Sequence, residues 1–412
     1  MSHIDALVDA DTPRLIEVFK DIHRNPELGF TEVRTARIVA ETLTDLGYTV
    51  TRGIGGTGVA AVLENGAGPT VMYRADMDAL PVREATGVNY ASTVRVKRDG
   101  VEVPVAHVCG HDAHVTWLLG MAKVLAHTHW SGTAVLIAQP AEEPIAGAQA
   151  MVDDGLYDVI PTPDAFLALH TAPIPVGMVS AAGSFTMAGT DQLDVLFHGV
   201  GGHGSMPQLA KDPVLMAALA VVQYQAIVSR TIDPQQAAVL TVGALQAGAD
   251  NNVIPDRALL KANLRWFDPQ IREQLLDGIR AVSEGIARAY GMPDDRLPAI
   301  TMKGGSTPLV NDDPLCRRVA AALGEALGPD NVITDFPRVL GSVDCHLLKG
   351  PHDDVPLAYL SVGVADPAVC AAAAADGKLF PYAPHNPEYL VDLAAIGVGT
   401  KIAGHAMRAL LG

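Results

Sequence analysis

The chain has 412 residues, which exceeds the usual size of one hydrophobic core, so two domains are expected. With 49% hydrophobic and 18% charged residues it has the composition of a globular protein, and a disordered chain is excluded. A formal net charge of −17 repels nucleic acid and anionic membranes, so neither is expected as a partner.

The N-terminal residues lack the basic and apolar regions of a secretory signal, and no apolar run approaches the length that spans a bilayer. The four cysteines, at positions 109, 316, 345 and 370, form no C-x-x-C pair and no framework of the secreted type. We therefore expect a cytoplasmic protein with no membrane segment and no disulfides.

The N-terminal part predicts two helices, the second beginning near Thr31, followed by strands at 59–63 and 70–73. Asp76 and Asp78 come directly after the second of these strands. Open α/β sheets carry their chemistry at strand ends, so these acids are candidates for a functional site.

Residues 53–58 match the G-x-G-x-x-G pattern of dinucleotide-binding folds. That fingerprint must open a helix, whereas these glycines precede the short β-branched run at 59–63. We interpret them as a hairpin-like turn and not as a nucleotide site.

The densest cluster of chemically active side chains lies at 107–114, where a thiol, three imidazoles and a carboxylate occur within eight residues. Cys109 and His111, two residues apart, can face one ion, and Gly110 lets the backbone pass closely. Thiolate and imidazole ligands suit zinc or a similar transition metal. The alternative is a buried cysteine among hydrogen-bonded histidines. The next residues predict a helix, so Asp112 and His114 are supporting candidates, although a helix N-cap also explains Asp112.

Glu142 and Glu143 follow the β-prone run 133–138. A metallohydrolase needs such a pair, since one carboxylate can hold the metal while the other takes a proton from activated water. The alternative is a solvated helix start, where acids are common. A third strand-like run, 165–169, is followed by His170, so potential metal ligands follow three predicted strands.

These motifs resemble the M20 metallopeptidases, specifically the amidohydrolase branch that includes hippurate hydrolases and indole-acetyl-amino-acid hydrolases. The resemblance spans nearly the whole chain. The matching segments are 74–81 (RADMDALP), 109–112 (CGHD), 139–143 (QPAEE), 169–170 (LH), 201–205 (GGHGS), 252–255 (NVIP) and 384–387 (PHNP).

The resemblance implies a site for two divalent metal ions, with bridging water completing their coordination. Zn²⁺ is favoured because of the thiolate, with Mn²⁺ and Ni²⁺ as alternatives. Glu142 resembles the family's general acid/base, and Asp78 resembles its orienting acid. The implied metal ligands are Cys109, His111, Glu143, His170 and His385.

The implied fold is α/β, a catalytic domain with a mostly parallel sheet flanked by helices, formed by 1–185 and 302–412. An α+β sandwich is inserted at 186–301, where the pattern reads strand, helix, two strands and helix. Its open sheet edge and the resemblance together imply a lid domain through which a homodimer forms.

His203 lies between glycines and resembles a lid histidine that stabilises a developing oxyanion, although an exposed histidine in a glycine turn is the alternative. Asn252 and Arg265 are weaker candidates for contacts to substrate, with ordinary turn and surface roles as their alternatives.

The chain departs from the family at 341–346, where the usual acid-Asp-Phe sequence is replaced by GSVDCH. Cys345, His346 and His352 resemble metal ligands by type, but we interpret them as pocket wall or loop. The departure leaves the substrate specificity open.

The sequence thus predicts a metal-dependent hydrolase of N-acyl or N-aroyl amino acids or related small amides. A dipeptidase or aminoacylase on the same scaffold is the alternative among enzymes. A metal-binding or ligand-binding protein without activity is the alternative from another class. Neither the acyl group nor the amino acid is identified. A serine hydrolase is disfavoured because the chain contains no G-x-S-x-G.

Overall fold

A computed structural model describes residues 2–98, 100–183 and 185–412, which form two compact units. Unit 1 comprises Met1–Phe185, Val310–Pro337 and Val343–Gly412, and unit 2 comprises Thr186–Leu309 and Arg338–Ser342.

The α-helices are α1 (His3–Arg24), α2 (Val33–Asp45), α3 (His111–Ala126), α4 (Gly147–Asp153), α5 (Leu156–Val159), α6 (Pro213–Ala226), α7 (Pro269–Ala289), α8 (Asp313–Leu327), α9 (Pro367–Ala375) and α10 (Ala394–Leu410). The strands are β1 (Thr49–Ile54), β2 (Gly58–Asn65), β3 (Thr70–Asp76), β4 (Arg95–Arg98), β5 (Val101–Pro104), β6 (Gly132–Gln139), β7 (Ala165–Pro175), β8 (Val179–Ser180), β9 (Thr186–Met187), β10 (Gly189–His198), β11 (Gly202–His203), β12 (Ala238–Ala247), β13 (Val253–Ile254), β14 (Arg257–Trp266), β15 (Ala299–Ser306), β16 (Leu309–Val310), β17 (Val332–Ile333) and β18 (Leu357–Ala365).

Unit 1 is built on an eight-stranded sheet with the strand order β1-β2-β6-β3-β7-β18-β8-β17. The central strands β6, β3, β7 and β18 are mutually parallel, whereas β1 and β2 are antiparallel at one edge. The central strands are largely buried, as expected of parallel strands covered by helices. Helices α1, α3, α8 and α10 contribute to the same apolar core. The predicted α/β class with a mostly parallel sheet is confirmed.

The glycine-rich segment before β2 is a hairpin turn, as predicted. Strands β1 and β2 pair antiparallel around it. Gly53, Gly55 and Gly56 all have positive φ, a conformation that glycine adopts without steric cost. The segment enters a strand and not a helix, so it lacks the context of a dinucleotide site.

The strand before His170 is longer than predicted. Strand β7 continues to Pro175, because its pairing with β18 continues and places Ser361 opposite His170. The prediction that a strand ends at His170 is therefore wrong. The neighbouring β3, however, pairs with β7 only as far as Ala168 and ends at Asp76, so His170 still lies beside a strand end.

Unit 2 contains a four-stranded antiparallel sheet with the order β12-β14-β10-β15. Helices α6 and α7 share its apolar core, to which β10 and β14 contribute alternate residues. Strand β15 has no predicted counterpart, because it is an edge strand with exposed residues and two glycines near its end. The predicted boundary at 301 falls inside β15, whereas unit 2 continues to Leu309.

Within the described ranges, one helical segment, Pro213–Thr231, is long and apolar enough to cross a membrane by length and composition. The segment includes Gln223, Gln225, Ser229 and Arg230, so it is not an uninterrupted apolar run. The segment contributes Met216, Ala220 and Tyr224 to the core of unit 2, so its apolar character is partly explained by packing.

Helix α10 lies against the fully buried Trp117 of α3, whose indole N–H donates to the Ala395 carbonyl at 3.0 Å. A Cβ at Gly399 would overlap the indole ring. We expect Gly399→Ala to lower the free energy of unfolding by about 1–3 kcal/mol, measured by urea denaturation. Gly324→Ala in α8, where a Cβ meets only an ordinary contact, should cause no loss. Equal losses in both variants would contradict this account.

Candidate metal centre

The segment carrying Cys109 and His111 is a tight loop at the start of α3, as predicted. Gly110 has φ +81°, and a Cβ there would crowd the side chain of Thr171. The Thr171 hydroxyl instead donates to the Cys109 carbonyl at 2.7 Å. The absence of a side chain at Gly110 therefore lets the loop lie directly against β7, with His111 as the first residue of the helix.

Two imidazoles of the cluster are each held through their Nδ1 atom. His111 Nδ1 lies 3.2 Å from the Asp78 carboxylate, and His170 Nδ1 lies 2.8 Å from the Thr171 carbonyl. Both partners only accept hydrogen bonds, so Nδ1 donates in each ring. His111 Nε2 is buried without a hydrogen-bond partner, and His170 Nε2 lies 3.6 Å from the thiol of Cys109. Each ring thus presents an Nε2 atom for a metal.

Glu143 joins these residues to the C-terminal part of unit 1. One of its oxygens lies 3.4 Å from His385 Nε2, and the other is buried without a hydrogen-bond partner. His385 has φ +66° and its backbone N–H donates to the Val108 carbonyl, which ties its loop to the Cys109 segment. The ligand atoms of Cys109, Glu143 and His385 lie within 4.8 Å of one another.

The Asp78 carboxylate connects the ring of His111 to the backbone of Glu143. One carboxylate oxygen accepts from His111 Nδ1, and the other accepts from the backbone N–H of Glu143 at 3.0 Å. A single side chain therefore orients an imidazole and the backbone of an acid. The arrangement is compatible with the orienting role predicted for Asp78.

The adjacent acids Glu142 and Glu143 have different environments. Burial, followed by the charge of Glu143, raises the pKa of Glu142 well above its usual range. Burial also opposes ionisation of Glu143, but its contacts with His385 and His111 outweigh it and lower the pKa of Glu143. The pair thus contains one carboxyl that favours its protonated form and one that favours its charged form.

The residues fit a site for metal ions. His111, Glu142 and Glu143 form a second group whose ligand atoms lie within 4.8 Å of one another, and it shares Glu143 with the first. The overlapping sets suit two neighbouring ions, and buried nitrogen and oxygen atoms without partners are the atoms that a cation would satisfy. A thiolate with imidazoles and carboxylates is a donor set for zinc or a similar transition metal.

His114 belongs to a further group of potential ligands, with Asp76, His111 and His170, but its own nitrogens are both occupied. Its Nε2 accepts from the Thr171 N–H at 2.8 Å, so Nδ1 carries the proton that it donates to Asp76 at 2.5 Å. His114 therefore holds Asp76 and the backbone of β7 in place, and both of its ring nitrogens are occupied.

A buried polar network beside Asp76 has no counterpart in the sequence predictions. Arg74, fully buried in β3, donates to Asp76 at 2.6 Å and to Gln139 at 2.8 Å, and Gln139 donates to Asp344 at 2.6 Å. Burial raises the pKa of Asp344 to about 6, although Arg74 opposes this shift. An arginine inside a buried strand was the available signal, because such a charge needs partners.

Asp112 is neither a metal ligand nor a side-chain N-cap in this structure, since Gly110 is the cap residue of α3. Its carboxylate accepts from His23 Nδ1 at 2.6 Å, and the other nitrogen of His23 faces Glu84 at 3.1 Å. The N-cap alternative is therefore wrong. His23 and Glu84 were not identified from the sequence.

Cys345 and His346 lie in the 3₁₀ turn Cys345–Lys349, and His352 contacts the hydroxyl of Thr162 at 3.3 Å. Within the described residues, none of the three belongs to a group with metal-binding geometry. Their interpretation as pocket wall or loop stays a prediction.

The remaining candidates lie in unit 2. His203 is exposed on β11, which pairs with β13, and the Asn252 carbonyl accepts from the N–H of Gly204 at 2.8 Å. Pairing of β11 with β13 therefore brings the segments of His203 and Asn252 together. Arg265 lies on β14 and donates through Nε to Asn263 at 2.9 Å. The functional roles of His203, Asn252 and Arg265 stay predictions.

Comparison with known proteins identifies the relatives of this chain. The model of peptidase family M20/M25/M40 matches residues 72–378. A hippurate hydrolase of Campylobacter jejuni is 42% identical over 65% of this chain and 68% of its own length. An N-acetyl-L-cysteine deacetylase of Bacillus subtilis is 36% identical over 76% of this chain and 73% of its own. An IAA-amino acid hydrolase of Arabidopsis thaliana is 35% identical over 80% and 73%. A crystal structure of a dinuclear metal-binding M20 peptidase from Bacillus subtilis has a TM-score of 0.73 and 26% identity, covering 98% of this chain and 99% of that one.

His23 predicts a specific pH dependence of stability. Burial alone would lower its pKa, but the hydrogen bonds with Asp112 and Glu84 outweigh it and raise the pKa to about 9. Because the folded-state pKa exceeds the usual value of about 6.5, this stabilisation is complete below pH 6.5 and is lost as the pH rises through 9. The free energy of unfolding should therefore differ between wild type and His23→Gln by up to about 3 kcal/mol at low pH, and the difference should shrink towards pH 10. A difference independent of pH would contradict this ionisation.

Proposed function

Because the chain belongs to peptidase family M20, we propose that it is a metal-dependent amidohydrolase whose substrates are N-acyl or N-aroyl amino acids. One observation carries the proposal, which is the convergence of five potential ligands, Cys109, His111, Glu143, His170 and His385, beside the buried carboxyl of Glu142.

The proposed roles follow from where each side chain lies. When bound, two divalent ions would polarise the amide carbonyl and lower the pKa of water. Glu142 takes a proton from the attacking water and passes it to the leaving amine, so that the C–N bond breaks and a carboxylate and an amine are released. Asp78 keeps His111 and Glu143 in place through its two hydrogen bonds.

The substrate class rests on the relatives, whose names include a hippurate hydrolase and an IAA-amino acid hydrolase. A second candidate is the release of acetyl groups from amino acids, favoured by the similarity to an N-acetyl-L-cysteine deacetylase. Turnover of hippurate, an indole-acetyl amino acid and N-acetylcysteine, compared as kcat/KM, would separate these possibilities and would also exclude a protein without activity.

We also propose Zn²⁺ as the metal, supported by the thiolate in the donor set, with Mn²⁺ and Ni²⁺ as the alternatives. A cytoplasmic location is proposed as well. It is supported by the four cysteines, which are all free, because a reducing compartment keeps thiols unpaired.

A homodimer through unit 2 is part of the proposal. Strand β12 lies at a sheet edge, where its outer backbone groups are available to another strand. The apolar side chains Leu215, Leu219 and Val222 of α6 and Leu245 of β12 are exposed, and we call this set the α6–β12 patch. Exposed apolar side chains next to an open edge favour association with a second copy. We propose that His203 then contributes to the partner's site as an oxyanion donor.

The first prediction from the proposed function concerns the metal. Chelation should abolish activity, and Cys109→Ser should bind metal more weakly because a hydroxyl is a poorer ligand than a thiolate. Elemental analysis and metal titration measure both effects, with Cys370→Ser on α9 as the matched control. If Cys109→Ser binds metal and turns over like the control, the ligand assignment is wrong.

A second prediction separates the two acids. Glu142→Gln should retain its metal and lose about 10²–10⁴-fold in kcat, because the amide cannot transfer the proton. Glu143→Gln should lose metal affinity as well, since one oxygen of the ligand is replaced by a donor. Reversed phenotypes in metal titration and steady-state kinetics would exchange the two assignments.

The third prediction tests whether sites are shared between subunits. His203→Ala should retain its metal and lose about 10²–10³-fold in kcat. Mixing it with Glu142→Gln should restore activity, because one site of the heterodimer then has both groups. Subunit exchange is verified first with two differently tagged copies.

Val222→Lys, which places a charge in the α6–β12 patch, should reduce dimer formation and prevent this restoration. Val101→Lys, at an exposed valine of unit 1, is the matched control. Heterodimers that form and stay inactive would rule out a shared site.

A further inference from the structure

Glu32 is a completely buried acid whose described partners are not cations. It lies at the start of α2, but its side chain does not cap that helix. One carboxyl oxygen accepts from the backbone N–H of Ala141 at 2.7 Å, and the other accepts from the hydroxyl of Thr57 at 2.5 Å. Burying a carboxyl is costly unless its hydrogen bonds are made. The contacts with Ala141 and Thr57 offset this cost for Glu32.

The segment that Glu32 holds has an unusual backbone. Ala141 has φ +45° and Ile145 has φ +55°, both in the left-handed region that residues other than glycine rarely adopt. The Ala141 carbonyl accepts from the N–H groups of Ala146 and Gly147, which closes the loop onto itself. A Cβ at Gly147 would overlap the Pro140 carbonyl. A loop of this kind keeps its shape only when its surroundings determine it.

The two acids of this loop are anchored separately. The backbone N–H of Glu143 is held by Asp78, whereas the residue preceding Glu142 is held by Glu32. Loss of the Glu32 contact should therefore disturb Glu142 more than Glu143.

We propose that Glu32 is a positioning residue that sets the orientation of Glu142 through the strained Ala141 peptide. The proposal rests on the proposed function in one respect, namely that Glu142 transfers the proton. Thr57, in the turn between β1 and β2, holds the second oxygen of Glu32 and thus fixes the direction of the first.

The hydrogen bond to Ala141 carries this role, and the charge of Glu32 does not. Burial raises the pKa of Glu32, and its hydrogen bonds with Thr57 and Ala141 oppose this shift only in part. Asp78 adds to the rise, so negative charge at Glu32 is disfavoured. A glutamine can place its carbonyl oxygen on the Ala141 N–H and its amide on the Thr57 hydroxyl.

The experiment compares Glu32→Ala, Glu32→Gln and Thr57→Val with Glu27→Ala as the matched control. Glu27 is also an acid at the entrance of α2, and it accepts from the N–H groups of Arg34 and Thr35 at 2.8 Å without contacting the loop of Ala141. Glu27→Ala therefore removes a carboxylate from the same segment, together with its contacts to the first turn of α2, and leaves the contact between Glu32 and Ala141 in place. The readouts are kcat, KM, metal stoichiometry, and hydrogen exchange of the 140–147 segment in the metal-free protein.

Glu32→Ala should retain two metal equivalents and an unchanged KM, with kcat lowered about 10–100-fold, since small misplacement of a reacting group has effects of this size. Exchange at 140–147 should become faster. Glu32→Gln should stay within about threefold of wild type, because it keeps the hydrogen bond. Thr57→Val is a nearly isosteric change and should also lower kcat. It provides the test if Glu32→Ala does not fold.

A kcat for Glu32→Ala equal to that of Glu27→Ala, or Glu32→Gln as impaired as Glu32→Ala, would overturn the proposal. Failure of the underlying function is distinguishable, because Glu142→Gln would then keep its activity in the same assay.

Discussion

The Asp78 carboxylate is the contact on which the candidate site depends. Its two oxygens accept from the ring of His111 and from the backbone of Glu143, and these residues come from different elements of unit 1. A carboxylate that holds an imidazole fixes which nitrogen carries the proton, and one that holds a backbone N–H fixes a loop. The geometry of the cluster therefore follows from where β3 ends, because that strand delivers Asp78.

The site concentrates acids that would repel one another in the absence of positive charge. Burial and the charge of Glu143 favour the protonated form of Glu142. Among the contacts described for Asp76 and Asp344, Arg74 is the cation common to both, and histidines also contact Asp76. Such an arrangement costs stability, since desolvated charges are repaid only by well-placed partners. A bound cation would offset that cost and would satisfy the atoms of His111 and Glu143 that have no hydrogen-bond partner.

Residues that are not candidate metal ligands also hold the site in place. His114 holds Asp76 and the β7 backbone, and Thr171 holds the Cys109 loop. These contacts have few degrees of freedom, because the groups are buried between packed strands and a helix. The Ala141 loop is buried as well but has a strained backbone, and its contact with Glu32 joins the start of α2 to the segment of Glu142 and Glu143.

The sequence by itself determined the α/β class, the loop at the start of α3 and the positions of the acids that follow β3 and β6, because apolar periodicity and glycine placement are local signals. Tertiary structure decided what local signals cannot encode. It extended β7 beyond His170 through pairing with β18, and it paired Asp112 with His23 in place of an N-cap. It also recruited Glu32 and Arg74, whose partners lie far away along the chain. Long-range pairs of this kind depend on strand order, and strand order exists only after the chain has folded.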